Sequence, residues 1–130
     1  MVIDTSAILA ILFQEPEAGG FAEHLSGSRR TILSAVNWLE CSIVLEARSG
    51  AASARDFERF IAAARIQVIE FDAEQAAVAL AAWRRFGKGR HPAALNMGDC
   101  CAYALSKRSG EALLFKGRDF SKTDIDAILD

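Results

Sequence analysis

Four short apolar runs, Val2-Ile3, Thr31-Ile32-Leu33, Val68-Ile69-Glu70-Phe71 and Leu113-Leu114-Phe115, are separated by segments whose apolar residues recur at helical spacing. Strands that alternate with helices return to the sheet by crossover. The rhythm therefore predicts a central, mainly parallel sheet covered on both faces, an α/β/α sandwich. Thr5 or Ser6 can cap a helix that runs to about Phe13 and ends at the Glu15-Pro16 step. Phe21 to Leu25 reads as a second, short helix, and Ser34 caps a third that Gly50 stops. Ser53 with Asp56, and Asp72 with Gln75, resemble capping boxes ahead of the stripes Phe57, Phe60, Ile61, Ala64 and Ala76, Ala79, Leu80, Trp83. Gly87 to Pro92 is a basic loop, and a last helix enters through Asn96-Met97-Gly98-Asp99 and closes at Gly110.

A chain of 130 residues fits a single domain spanning 1–130, long enough to bury roughly two-thirds of its unfolded surface without staples. No window approaches the roughly 18 apolar residues of a membrane span, so no membrane association is expected. The opening Met1-Val2-Ile3-Asp4 has neither a basic n-region nor a small-residue cleavage site, so a cytoplasmic location is expected. Cys41, Cys100 and Cys101 are odd in number and lack CxxC spacing, so reduced, buried thiols are expected. A net charge of -2 argues against a simple nucleic-acid binder. The basic residues do cluster, as Arg84, Arg85, Lys88, Arg90 with His91 and as Lys107, Arg108, Lys116, Arg118, Lys122. Such clusters suit either solvated faces or a basic rim around an acidic pocket.

Glu40 falls inside the apolar stripe Val36, Ile43, Val44, Ala47 of the third helix and so points inward. A carboxylate facing a core is costly unless a cation or hydrogen-bond donors compensate it. Asp4 repeats the pattern between Met1-Val2-Ile3 and the run Ala7 to Phe13. In an open parallel sheet, residues that follow the strands gather beyond their carboxyl ends. Asp4 follows the first strand, Glu40 lies early in the helix after the second, Asp99 opens the helix before the last, and Asp119 comes four residues after Phe115. Four such acids fit a hard divalent cation, Mg²⁺ or Mn²⁺. Singly, Asp4 and Asp99 could equally be helix caps and Asp119 a loop acid. Asp124, Asp126 and Asp130 are assigned to a polar tail, His24 and His91 to the surface, and Trp38, Trp83 and the phenylalanines to the core.

The pieces Met1-Val-Ile-Asp-Thr-Ser-Ala7, Glu40 with Glu46-Ala-Arg-Ser-Gly50, Asn96-Met-Gly-Asp-Cys100 and Leu113-Leu-Phe-Lys-Gly-Arg-Asp-Phe120 with Thr123-Asp124, in this order, resemble the PIN-domain ribonucleases, and among them the VapC toxins of prokaryotic toxin–antitoxin pairs. The resemblance spans the chain. It implies a PIN-like fold and an acidic quartet of Asp4, Glu40, Asp99 and Asp119, supported by Thr5 or Ser6. Arg118 stands where several relatives carry a further acid or an Asn. The resemblance also implies Mg²⁺- or Mn²⁺-dependent hydrolysis of RNA, tRNA or another structured RNA, a VapB-type antitoxin as partner, and a homodimer. Lys116, Arg118, Arg84, Arg85, Lys88 and Arg90 would then seat the RNA backbone. Two rival readings are a phosphoacceptor domain of the receiver type, with Lys116 as its lysine, and a non-catalytic PIN-like binding module. The receiver reading lacks the acidic pair expected near its start, and no GxGxxG follows a strand to suggest a dinucleotide site.

Overall fold

The computed structural model describes residues 1–128. Chain order is β1 (Val2–Ile3), α1 (Thr5–Leu12), α2 (Ala18–Gly27), β2 (Thr31–Ser34), α3 (Ala35–Ser49), α4 (Ser53–Ala63), β3 (Ile66–Ile69), α5 (Ala73–Phe86), α6 (Met97–Ser109) and β4 (Leu113–Leu114), followed by a 3₁₀ turn over Phe120–Lys122. The sheet runs β3-β2-β1-β4, and each of its strand pairs is parallel. Val2 sits between Ile32 and Leu113, which makes β1 a central strand.

Side chains alternate faces along a strand, and each run serves two cores. Val2, Ile32 and Leu113 pack with α5 and α6. Ile3, Leu33 and Leu114 pack on the other face with residues of α1 to α4. The α/β/α sandwich is therefore realised with both sheet faces covered, as parallel strands require. No helix among the described residues is long and apolar enough to cross a membrane.

Several local expectations are corrected. The third strand is Ile66–Ile69 rather than Val68 to Phe71; it starts straight after Arg65, whose φ of 54° makes the turn, and Phe71 instead packs beside the α5–α6 core from the following loop. Asp4, not Thr5 or Ser6, caps α1 by accepting a bond from the Ser6 amide. No side chain caps α4, because the Ser53 hydroxyl donates to the Gly50 carbonyl instead. Asp72 does cap α5 by accepting from the Gln75 backbone N–H, but the Gln75 side-chain Nε2 donates to the Glu70 carbonyl, so the box is not reciprocal. Gly110 ends α6 with a φ of 71°, as expected of a left-handed cap.

The buried face of α3 is Asn37, Cys41 and Leu45, a stripe rotated from the one read in the sequence; Ile43 is 59% exposed. Trp38 and Trp83 are not core, with 40% and 39% of their surfaces exposed. Trp38 lies over Phe57 at the surface, and Trp83 carries the Arg90 guanidinium 4.4 Å from its ring centroid. Phe21, Phe57, Phe86, Phe115 and Phe120 are buried, and the three cysteines are free and buried. The segment assigned to a polar tail is also built in. Leu113 N–H donates to the Asp126 carbonyl at 2.8 Å, and Ile128 N–H to the Leu113 carbonyl at 2.9 Å. Asp130 lies outside the described residues.

Candidate active site

Asp4 leaves β1 with extended backbone and turns directly into α1, so its side chain stands at the carboxyl edge of the central strand. It is 3% exposed. Its Oδ2 accepts from the Ser6 amide at 3.0 Å and the Ser6 hydroxyl at 2.6 Å, while its buried Oδ1 has no hydrogen-bond partner. Burial lifts the Asp4 carboxyl from 3.8 to about 7; the Asp99 and Glu40 charges add to this, and the bonds from Ser6 oppose it. Ser6 Oγ also accepts from the Lys116 amide at 2.9 Å, tying this turn to the loop after β4.

Asp99 is the third residue of α6 and completes a capping box. The Asn96 amide donates to Asp99 Oδ2 at 3.0 Å, and the Asp99 amide to Asn96 Oδ1 at 2.8 Å. Both the helix-cap and the acidic-site readings of Asp99 therefore apply to one residue. Burial raises its carboxyl to about 6 against the Asn96 backbone bond, with Glu40 and Asp119 adding to the rise. Asp119 itself is exposed and begins the 3₁₀ turn.

Glu40 is half-buried at the border of the α3 buried face. A β-carbon on Gly98 would lie 2.5 Å from Glu40 Oε2 and 2.7 Å from Oε1, so α6 meets α3 at this carboxylate and any side chain at Gly98 would push it aside. Asn37, wholly buried, donates from Nδ2 to Thr5 Oγ1 at 3.2 Å, to the Gly98 carbonyl at 3.1 Å and, at 3.5 Å, to Glu40 Oε1. One amide thus joins α1, α3 and α6. Neither Asn37 nor Gly98 was singled out from the sequence. The available signal was the i, i+3 spacing of Asn37 and Glu40, which shares a helix face.

Asp4 is electrostatically coupled to Asp99 and Glu40, and Asp99 to Glu40 and Asp119. The acids offer oxygen donors, and burial pushes the Cys41 thiol up to about 12 and Cys100 and Cys101 to about 11. Among the described residues no three His, Cys, Asp or Glu side chains are grouped tightly enough to enclose an ion unaided. Mg²⁺ and Mn²⁺ suit oxygen donors, and Mg²⁺ commonly uses only one or two carboxylates with retained waters. The orphaned Asp4 Oδ1, on a carboxyl that feels the Asp99 charge, fits that pattern.

The basic residues divide. Lys116 is held by Glu15 and, at 3.5 Å, by Glu17. Arg85 pairs with Asp124 at 3.3 Å and lies over the Phe86 ring, and Arg90 lies over Trp83. Arg84, Lys88 and Arg118 project from the surface. His91 accepts from the Ala93 amide at 3.0 Å and stands edge-on to Phe86, shaping the basic loop.

This parallel sheet with acids gathered at its carboxyl edge coincides with a family match: the PIN domain model covers residues 1–126. The chain is a PIN domain. Ribonuclease VapC30 of Mycobacterium tuberculosis is 45% identical over 125 residues, covering 96% of this chain and 95% of that protein. Ribonuclease VapC of Mycolicibacterium smegmatis is 44% identical over 128 residues, covering 98% and 99%. The chain therefore belongs, within the PIN-domain family, to the VapC ribonucleases. Among solved structures, Mycobacterium tuberculosis VapC20, described as a sarcin-ricin loop cleaving toxin, matches with a TM-score of 0.79 at 15% identity, covering 99% of this chain and 98% of that one. A toxin-antitoxin complex from Klebsiella pneumoniae matches at 0.72 and 15%, covering 98% and 95%. At such identities the likeness speaks for the fold. The receiver-type reading falls away with the family match.

Proposed function

We propose that this chain, acting as a single PIN domain in the cytoplasm, is the endoribonuclease toxin of a VapBC-like toxin–antitoxin pair. Its close relatives are named ribonucleases, and a structural neighbour is a toxin-antitoxin complex. That naming also favours catalysis over a non-catalytic binding module. The partners are an RNA substrate, a VapB-type antitoxin and a second copy of the chain. The observation that carries the mechanism is the buried Asp4 carboxylate, with one oxygen unpartnered and its charge coupled to those of Asp99 and Glu40.

Asp4 and Asp99 would hold Mg²⁺ or Mn²⁺, with Glu40 and Asp119 completing the site. Bound there, the ion supplies Lewis-acid stabilisation of charge on the scissile phosphate and eases deprotonation of water. Glu40, fixed by Asn37 and the bare Gly98 backbone, orients the attacking water. Ser6 and Thr5 keep Asp4 and Asn37 in register. Arg84, Lys88 and Arg118 receive the RNA backbone, helping a mildly acidic protein approach a polyanion. Lys116, already engaged by Glu15 and Glu17, contributes through its backbone bond to Ser6. Incubating the purified chain with total cellular RNA, with and without a chelator, tests this reading. Fragments carrying 5′-phosphate and 3′-hydroxyl ends, formed only with divalent metal, are expected. Undiminished cutting in chelator overturns the metal assignment.

A further inference from the structure

We infer that Asp124 is a positioning residue for Asp119, holding the segment that carries this acid against α6. The inference rests on Asp119 belonging to the metal site proposed above. Asp119 is exposed and its side chain makes no capping bond, so nothing on its own side chain fixes its place. The connection from β4 passes through Gly117, at a φ of 95°, before reaching it. Two anchors lie just beyond. Phe120 is buried, with its ring 5.0 Å from that of Phe115. Asp124 is clamped from three sides: Oδ1 accepts from the Tyr103 hydroxyl at 2.6 Å, and Oδ2 lies 3.3 Å from Arg85 Nη1 and 3.2 Å from Lys107 Nζ. Lys107 also donates to the Asp124 carbonyl at 3.2 Å. Between the anchors, Thr123 Oγ1 donates to the Phe120 carbonyl at 2.6 Å and accepts from the Ile125 amide at 3.2 Å, closing a rigid turn.

The geometry gives this clamp a use beyond fastening the chain end. Tyr103 follows Asp99 by four residues on α6, about one helical turn, so the hydroxyl that grips Asp124 and the carboxylate coupled to Asp119 ride on the same side of one helix. The Asp99-to-Asp119 separation is then set by α6 itself. Partners that orient a ligating carboxylate are typically worth 10- to 100-fold in metal affinity or activity, and Asp124 is such a partner acting through the backbone.

Mn²⁺ affinity measured by titration calorimetry on the full chain, together with amide hydrogen exchange over residues 116–123, tests the inference. Asp124→Ala and Tyr103→Phe should each weaken Mn²⁺ binding, by roughly ten-fold for Asp124→Ala, and speed exchange in that segment. In an Asp119→Asn background, Asp124→Ala should cause no further loss of affinity, because its effect runs through Asp119. Independent, additive losses, or unchanged affinity and exchange in both single variants, overturn the inference. If Asp124→Ala does not fold, Tyr103→Phe decides it by the same readouts. A parent chain that binds no Mn²⁺ defeats the metal reading itself, and the exchange arm then decides separately whether Asp124 fixes the segment.

Discussion

The carboxylate of Glu40 fills the space that a side chain on Gly98 would need, with Oε2 2.5 Å from the position a β-carbon would take. Two helices far apart in sequence thereby approach each other at one functional group. Gly98→Ala should displace Glu40 and lower the cleavage rate about 10- to 100-fold, because small misplacements of a reacting group are expensive. Single-turnover kinetics beside a thermal melt checks this; an alanine variant that cuts at the parental rate removes the steric relationship from the mechanism.

The metal-free protein should lose stability as pH rises. Asp4 has a folded-state carboxyl near 7 against 3.8, so the folded chain holds this proton more tightly than the unfolded chain does. That contribution is fully present below about 4, declines between about 4 and 7, and is absent above; Asp99, at about 6, acts in the same direction. Asp4→Asn should remove most of this slope and raise metal-free stability at pH 7.5 by on the order of 2–4 kcal/mol. Denaturant melts in chelator from pH 5 to 8 measure it, and a parent whose stability climbs across that range contradicts it.

Cleavage should follow the opposite course. Ligation requires deprotonated carboxylates, so the rate should fall as pH drops through about 7 and 6, where Asp4 and Asp99 take up protons. Raising Mn²⁺ should move this acid limb to lower pH, since metal and protons compete for the same oxygens. A limb that stays fixed across a hundred-fold range of Mn²⁺ rules out these two acids as its source.

Asn37→Ala should cost both stability and activity. The change removes the buried amide from which Thr5 Oγ1 and the Gly98 carbonyl both accept, and with it the tie between α1, α3 and α6. A loss of about 1–3 kcal/mol is expected, with a larger proportional loss in cleavage because Glu40 loses a neighbour. Equilibrium unfolding with parallel kinetics separates the two; intact activity in a destabilised variant confines Asn37 to structure.

The layered architecture was legible because alternating runs and helix caps are local signals. Asp4 and Asp99 were readable for a related reason: each stands at a strand or helix boundary whose chemistry is short-range. What escaped depended on long-range packing. Asn37 is polar yet buried because its amide nitrogen donates to Thr5 and Gly98 on two other helices, while its Oδ1 has no partner, and reading apolar residues as inward consequently rotated the α3 stripe toward Ile43. Trp83 was assigned to the core for its size, but Gly87 and Arg90 pack around it at the surface: a β-carbon on Gly87 would fall within 2.5 Å of the indole, and Arg90 lies over the ring. Asp124 was set aside with the chain end, since only the folded chain brings Tyr103, Arg85 and Lys107 to it.

The most direct measurement is single-turnover cleavage of an end-labelled RNA across a Mn²⁺ titration, comparing the parent with Glu40→Gln. The parent rate should rise from background to saturation with Mn²⁺, whereas Glu40→Gln should remain about 100-fold or more below it at every concentration while melting at the parental temperature or higher. A parent rate indifferent to metal, or a Glu40→Gln variant that cuts as fast as the parent, would contradict the gathering of these acids into one metal-dependent site.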